Sequence, residues 1–379
     1  MPKVAVPITP AVLEWAISES GSSAAQIAAE AGVQPAELDD WLEARSQPGI
    51  SEARALARVL RRPIAALLLP EPPSSRQASV AFRHLPGVPG RSLTPTERRY
   101  VRKALRLQNM LSSVAKELGE PPPALPRFDV GTDSLRVAAA VGGLLQVMPQ
   151  PSWSSASVAF DAWREAIERQ GVAVFLFQLG PDNCRGFSLW NGRVPVIAVN
   201  TAWNDEARTF TLLHELGHLV AGTDSACGVG DPAALTDTWD PVERWCESFA
   251  AAVLLPEAAL REAIADRLGG TQQVTDVAQV ATLARRFRAS LRATAIRLIE
   301  LGVASWDLYR SLPPLIDAKR GGGGGKGGRD RQEIQEDSLG NRTTDMLRRA
   351  VSAAVVTRTE ALTYLDMPDH ALDSPARSG

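Results

Sequence analysis

Ten consecutive residues, Thr211 to Val220, limit what this chain can fold into more than any other stretch. They read Thr-Leu-Leu-His-Glu-Leu-Gly-His-Leu-Val, a His-Glu-x-x-His pattern set among apolar residues at helical spacing. At about 100° per residue, positions four apart lie roughly 40° from each other around a helix, so His214 and His218 share one face. Two imidazoles so placed can reach one metal ion. Glu215 follows the first histidine directly, which carries its carboxylate past the metal's remaining position, where a water needs a base to take its proton. The spacing fits metal-assisted hydrolysis, with His214 and His218 as metal ligands and Glu215 as the catalytic base. The chain has four histidines, His84, His214, His218 and His370. A chance pair framing a glutamate is therefore rare, and the bland alternative is a helix with two satisfied surface histidines.

A catalytic zinc site takes three protein ligands and a water. One arrangement places a further histidine six residues after the second, but here that position is Asp224, and Ala221 stands where that arrangement has glycine. Another takes a glutamate from a following helix. Residues 241–250, Pro-Val-Glu-Arg-Trp-Cys-Glu-Ser-Phe-Ala, read as the start of such a helix, with Asp240 as its cap and Pro241 in its first turn. Glu243 and Glu247 lie one turn apart on one face, while Trp245, Phe249, Ala252 and Val253 form the apolar one. Glu243 is the expected third ligand, and Glu247 an acceptor that orients a ligand histidine. The same pair also reads as two solvated glutamates on an amphipathic helix.

These stretches resemble the ImmA/IrrE metallopeptidases. The resemblance rests on Arg208-Thr209-Phe210-Thr211 leading into His214-Glu215-Leu216-Gly217-His218, and on Glu243-x-x-Cys246-x-x-Phe249 running on to Pro256. It covers roughly residues 150 to 310. It implies a zincin-like peptidase domain holding one Zn2+ on His214, His218 and Glu243, with Glu215 as general base. Cys246-Glu247 stands where that family usually has Ala-Asn or Ala-Asp. The substrate implied is a regulatory protein, typically a helix-turn-helix repressor.

A length of 379 residues suggests two or three domains, and 45% apolar with 22% charged residues is ordinary for a globular chain. The expected layout is 1–72, a helix-turn-helix domain; 73–120, a linker and basic helix; 121–315, the peptidase domain; and 316–379, a Gly-rich linker with a helical tail. The net charge of −2 favours neither nucleic acid nor membrane, but the charge is unevenly spread. Residues 201–260 hold ten acidic side chains against two basic ones, which suits a cation site, whereas residues 76–120 hold nine basic against three acidic. No apolar run approaches membrane-spanning length, and the first ten residues lack the apolar core of a secretory signal. Three scattered cysteines, Cys184, Cys227 and Cys246, make neither a disulfide framework nor a Cys-x-x-Cys knuckle. The expected compartment is the reducing cytoplasm.

Residues 11–70 give a run of short helices. Ala24 to Ala28, the turn at Gly32-Val33 and Leu38 to Glu43 follow the order of a phage-repressor helix-turn-helix, whose second helix enters the major groove. That helix carries Glu37, Asp39, Asp40 and Glu43 against Arg45, and an acidic face meets phosphates at a cost. Arg54, Arg58, Arg61 and Arg62 are the candidate phosphate contacts. DNA binding and protein docking both remain open uses. Thr94-Pro95-Thr96-Glu97 is a capping box opening a helix made basic by Arg98, Arg99, Arg102, Lys103 and Arg106.

Val172–Gln178 reads as a buried strand, and Gly186–Trp190 with Val194–Val199 as a hairpin turned at Asn191-Gly192 in type I′ fashion. This small antiparallel sheet leads into the metal helix. An exposed edge there can hold an extended peptide, with Pro195 closing one side. The fold class is therefore α+β, mostly helical: a helix-turn-helix bundle plus a zincin-like domain with a small antiparallel sheet. The expected function is a zinc endopeptidase acting on a protein such as a repressor, with Tyr309, Arg208 and His370 as candidate oxyanion partners. The rival is an antitoxin-like regulator that binds DNA or sequesters a toxin, with peptidase activity secondary. An intact Glu215 weighs against that rival, since a pure binder needs no base.

Overall fold

The computed structural model describes residues 5–20, 22–60, 62, 64–72, 93–147, 153–222, 225–227, 241–269, 273–313 and 331–365. The expected linker at 73–92, and Arg61, Asp240, His370 and the glycine run at 321–328, lie outside them. Among the described residues no helix is long and apolar enough to cross a membrane. The chain divides into two compact units, one of Met1–Arg83 with Gly90–Lys103, the other of His84–Pro89 with Ala104–Gly379.

The first unit contains α1 (Pro10–Ser20), α2 (Ala24–Ala31), α3 (Pro35–Leu42), α4 (Ile50–Val59) and a 3-10 turn at Ile64–Leu68. Leu13, Ile27, Leu38, Leu56, Leu60 and Leu67 are fully buried between them. Ser23 caps α2 by accepting from the Gln26 N–H, and Gly32 ends it in the left-handed region at φ 69°. Pro35 then opens α3, where its missing N–H costs nothing. The exposed side of α3 carries Glu37, Asp39 and Glu43. Arg45 is drawn onto that side, pairing with both Asp40 and Glu43.

Helix α5 (Pro95–Glu117) begins with the expected capping box: Thr94 N–H donates to Glu97 at 2.8 Å, and Glu97 N–H donates back to Thr94 Oγ1 at 3.1 Å. Two of its basic residues are not simply solvated. Arg98 donates to the Ser18 carbonyl and Arg102 to the Glu19 carbonyl, so both satisfy the C-terminal end of α1.

The second unit is α+β and mostly helical. Its helices are the remainder of α5, then α6 (Ser134–Leu145), α7 (Ala156–Arg169), α8 (Asp205–Ala221), α9 (Pro241–Leu254), α10 (Glu257–Leu268), α11 (Val277–Phe287), α12 (Leu291–Glu300), α13 (Trp306–Ser311), α14 (Arg331–Leu339), α15 (Asn341–Ser352) and α16 (Arg358–Leu365). Its strands are β1 (Ala173–Phe177), β2 (Gly186–Leu189), β3 (Val196–Asn200) and β4 (Ser225–Cys227), in the order β1-β3-β2-β4. A large apolar core of the unit includes Phe160, Trp163, Leu212, Leu216 and Phe249.

The sheet corrects three expectations. It is mixed, not wholly antiparallel, because β1 runs parallel to β3 with Ala173 opposite Val196 and Phe177 opposite Asn200. β2 and β3 do form the antiparallel hairpin, with Gly186 opposite Val199. Its turn is not type I′, which needs positive φ at both central residues. Gly192 has φ 81°, but Asn191 does not share that region. Instead the Asn191 side chain accepts from the N–H groups of Arg193 and Val194, closing a longer loop. Pro195 marks no open edge either, since β3 is an inner strand and the Pro195 carbonyl accepts from Ala173. Buried Gln108 of α5 steadies the loop by donating to the carbonyls of Leu189 and Val194.

Candidate metal centre

Helix α8 opens on an Asn cap followed by two acidic residues. Asn204 accepts from the Ala207 N–H, Asp205 and Glu206 occupy the first turn, and Gly222 closes the helix at φ 72°. Thirteen of its seventeen residues are buried, because α7, α9, β2 and β3 all pack on it. His214 and His218 therefore do not lie on a solvated stripe. They are 6% and 0% exposed, and Glu215 between them is 0% exposed.

The third group comes from α9, whose first turn holds Glu243 and whose packing side holds Trp245, Phe249 and Val253. The Trp245 indole donates to the Thr132 carbonyl and its ring stacks on Phe249, which fixes this end of the helix. Glu243 Oε2 lies 3.2 Å from His214 Nε2, and Glu243 Oε1 lies 3.4 Å from His218 Nε2. The two histidine Nε2 atoms are 3.2 Å apart. Among the described residues, these three buried side chains form a group that could hold a metal ion. Four-coordinate zinc with bonds of about 2.0–2.1 Å needs its donor atoms about 3.3–3.4 Å apart. The two imidazole nitrogens and the carboxylate fit that spacing.

The electrostatics favour a cation at the same point. Burial alone would lower the His214 pKa, yet the Glu243 hydrogen bond and the nearby Glu215, Glu243 and Glu247 carboxylates leave it raised. Burial would raise the Glu243 pKa, yet hydrogen bonds from both histidines bring it down to about 2. Glu247 is half-buried one turn beyond Glu243. Its pKa is pushed up to about 7 by burial, opposed by His214 and reinforced by Glu243 and Glu300. It feels the charge of His214, but no hydrogen bond joins the two side chains among the described residues.

Two glycines that motif reading passed over make this geometry possible. A Cβ at Gly186 of β2 would meet Thr211 Cγ2 at 2.6 Å and Glu215 Cγ at 3.3 Å, so the sheet backbone lies directly against the Glu215 side chain. A Cβ at Gly217 would meet Phe249 Cδ1 at 3.1 Å and Cys246 Cα at 3.3 Å, so α8 and α9 cross closely there. Only the Gly217 position, inside the motif, carried any signal.

The other expected residues have these surroundings. Arg208 is buried, paired with Asp205 at 2.5 Å and stacked over Phe160 at 4.2 Å. Tyr309 is buried beside Trp306 and beneath the Arg292 guanidinium. In the first unit Arg54 and Arg58 are exposed, whereas Arg62 lies over the Trp15 ring at 4.5 Å.

Residues 167–299 match the family model described as the IrrE N-terminal-like domain, a peptidase family. The chain carries an IrrE-like peptidase domain. Both histidines, Glu215 and Glu243 fall inside the matched range. The radiation response metalloprotease IrrE of Deinococcus radiodurans is 32% identical over 114 residues. That match spans 28% of this chain and 31% of the Deinococcus protein, so less than a third of either chain is compared. The first unit and the helices after residue 330 lie outside the IrrE-like match.

Proposed function

We propose that the chain is a zinc-dependent endopeptidase that cuts a regulatory protein such as a helix-turn-helix repressor. The observation that carries this reading is the convergence of His214, His218 and Glu243 next to a buried Glu215, inside a domain of a peptidase family. His214, His218 and Glu243 hold the ion. Zinc in such a donor set supplies Lewis acidity toward the scissile carbonyl and brings the pKa of water to about 7. Glu215 takes the proton of the attacking water and passes it to the leaving amine. The sheet backbone at Gly186 limits the Glu215 side chain to a narrow range of positions. Glu247 acts through its field on His214, since it makes no hydrogen bond to it.

Residues 1–72 recruit the substrate by protein contact on this reading. The exposed acidic residues of α3 disfavour a phosphate backbone, and Arg62 is engaged by Trp15. On this reading the layout is a helix-turn-helix domain at 1–72, a linker and basic helix at 73–120, a peptidase domain at 121–315 and a C-terminal segment at 316–379. The test is a comparison of new protein termini in cells carrying wild type or Glu215→Gln. Termini that appear with wild type alone support the endopeptidase, and identical termini favour the antitoxin-like binding protein.

A further inference from the structure

Helix α7 carries a buried charged pair that the metal centre does not use. Arg164 and Glu168 are 8% and 5% exposed, one turn apart, with Arg164 Nε 3.5 Å from Glu168 Oε1. Both reach the joint between α14 and α15, which is the single residue Gly340. Arg164 Nη1 donates at 2.7 Å to the carbonyl of Asp337, in the last turn of α14. Glu168 Oε2 accepts at 3.4 Å from the N–H of Arg342, in the first turn of α15. A cation thus meets a helix C-terminus and an anion meets a helix N-terminus, each satisfying groups that a helix end leaves unpaired.

The same joint meets the outer edge of the sheet. Ala173 N–H and the Phe177 carbonyl both bond toward the β3 side, so the backbone groups of Val174 point the other way. Arg164 Nη2 donates at 2.7 Å to the Val174 carbonyl, and a Cβ at Gly340 would stand 3.0 Å from that oxygen and collide with Glu168 Oε1. Gly340 also has φ 83°, so only glycine adopts this backbone without strain. Leu339, Met346, Leu347, Ala350, Leu362 and Leu365 are buried in the same segment. A Gly-rich sequence, residues 321–328, separates it from the rest of the unit.

We propose that α7 and the β1 edge form a docking site for a helix–glycine–helix element, filled by residues 331–365 of the same chain as a separable partner. The site reads the joint through Arg164 and Glu168 and admits it only where glycine stands between the helices. It also guards the β1 edge, which would otherwise offer unpaired strand groups to a second copy. The occupying segment, residues 331–365, lies outside the IrrE-like match, and no residue of this site belongs to the metal group, so the proposal does not rest on the peptidase reading.

The test uses the full chain with a protease recognition sequence inserted at residues 321–328. After cleavage the two fragments are expected to co-elute in size exclusion at one to one. A labelled peptide of residues 331–365 should exchange into the cut protein, and the Gly340→Val peptide should bind at least tenfold more weakly. The peptide variant leaves the folding of the main body untouched. Separation of the wild-type fragments, or equal binding of the two peptides, would overturn the proposal.

Discussion

Gly217 of α8 stands so close to Cys246 of α9 that a Cβ added to the glycine would lie 3.3 Å from Cys246 Cα. This crossing sets the distance between the helix that carries the two histidines and the helix that carries Glu243. Gly217→Ala should push the helices apart by a few tenths of an ångström, at an overpacking cost of about 1–3 kcal/mol. Both thermal stability and zinc retention should fall together in melting and metal-content measurements. Retained zinc with unchanged melting would show that the crossing does not position Glu243.

Glu215 contributes no atom to the three-residue metal group, so Glu215→Gln should separate binding from chemistry. Peptide-bond cleavage is expected to fall by about 10²–10⁴-fold, the range typical for removing a general base. Metal content should stay at the wild-type level. Loss of metal together with activity would make Glu215 a structural residue.

Glu168 gives a pH signature through its pKa, which burial raises above 4.5 against the opposing Arg164, Arg342 and Asn341 contacts. A group with a raised folded pKa contributes stability that is fully present below its unfolded value of 4.5 and is lost as pH climbs through the folded value. Glu168→Gln keeps the shape and removes the titration. The melting temperature of this variant minus that of wild type should therefore increase as pH rises from below 4.5. A difference that stays flat with pH would mean that the carboxylate is not held in this buried setting.

The exposed acidic residues of α3, with Arg45 already paired to Asp40 and Glu43, leave little cation to neutralise a phosphate backbone. The full chain should show no sequence-selective DNA binding in a shift assay at about 150 mM salt, where phosphate contacts dominate affinity. Tight selective binding would assign α2 and α3 to DNA.

Local chemistry made some of this readable in advance. The turn at Gly32 and the capping box at Thr94 to Glu97 mark helix ends that the structure reproduces. The shared face of His214 and His218 follows from helical spacing alone. The approach of Glu243 does not, because 29 residues of chain separate it from His214 and the closure depends on packing at Gly217. The parallel pairing of β1 with β3 was missed for a similar reason: period-two alternation marks a strand but says nothing of its neighbours' direction. Gly186, Arg164 and Glu168 were invisible as participants because their roles come from what other segments place against them.

The most direct measurement is the zinc content of the purified chain and three variants by elemental analysis. One zinc per chain is expected in wild type and Glu215→Gln, and a small fraction of that in His214→Ala and Glu243→Gln. Equal zinc in Glu243→Gln and wild type would contradict the metal centre assigned to His214, His218 and Glu243.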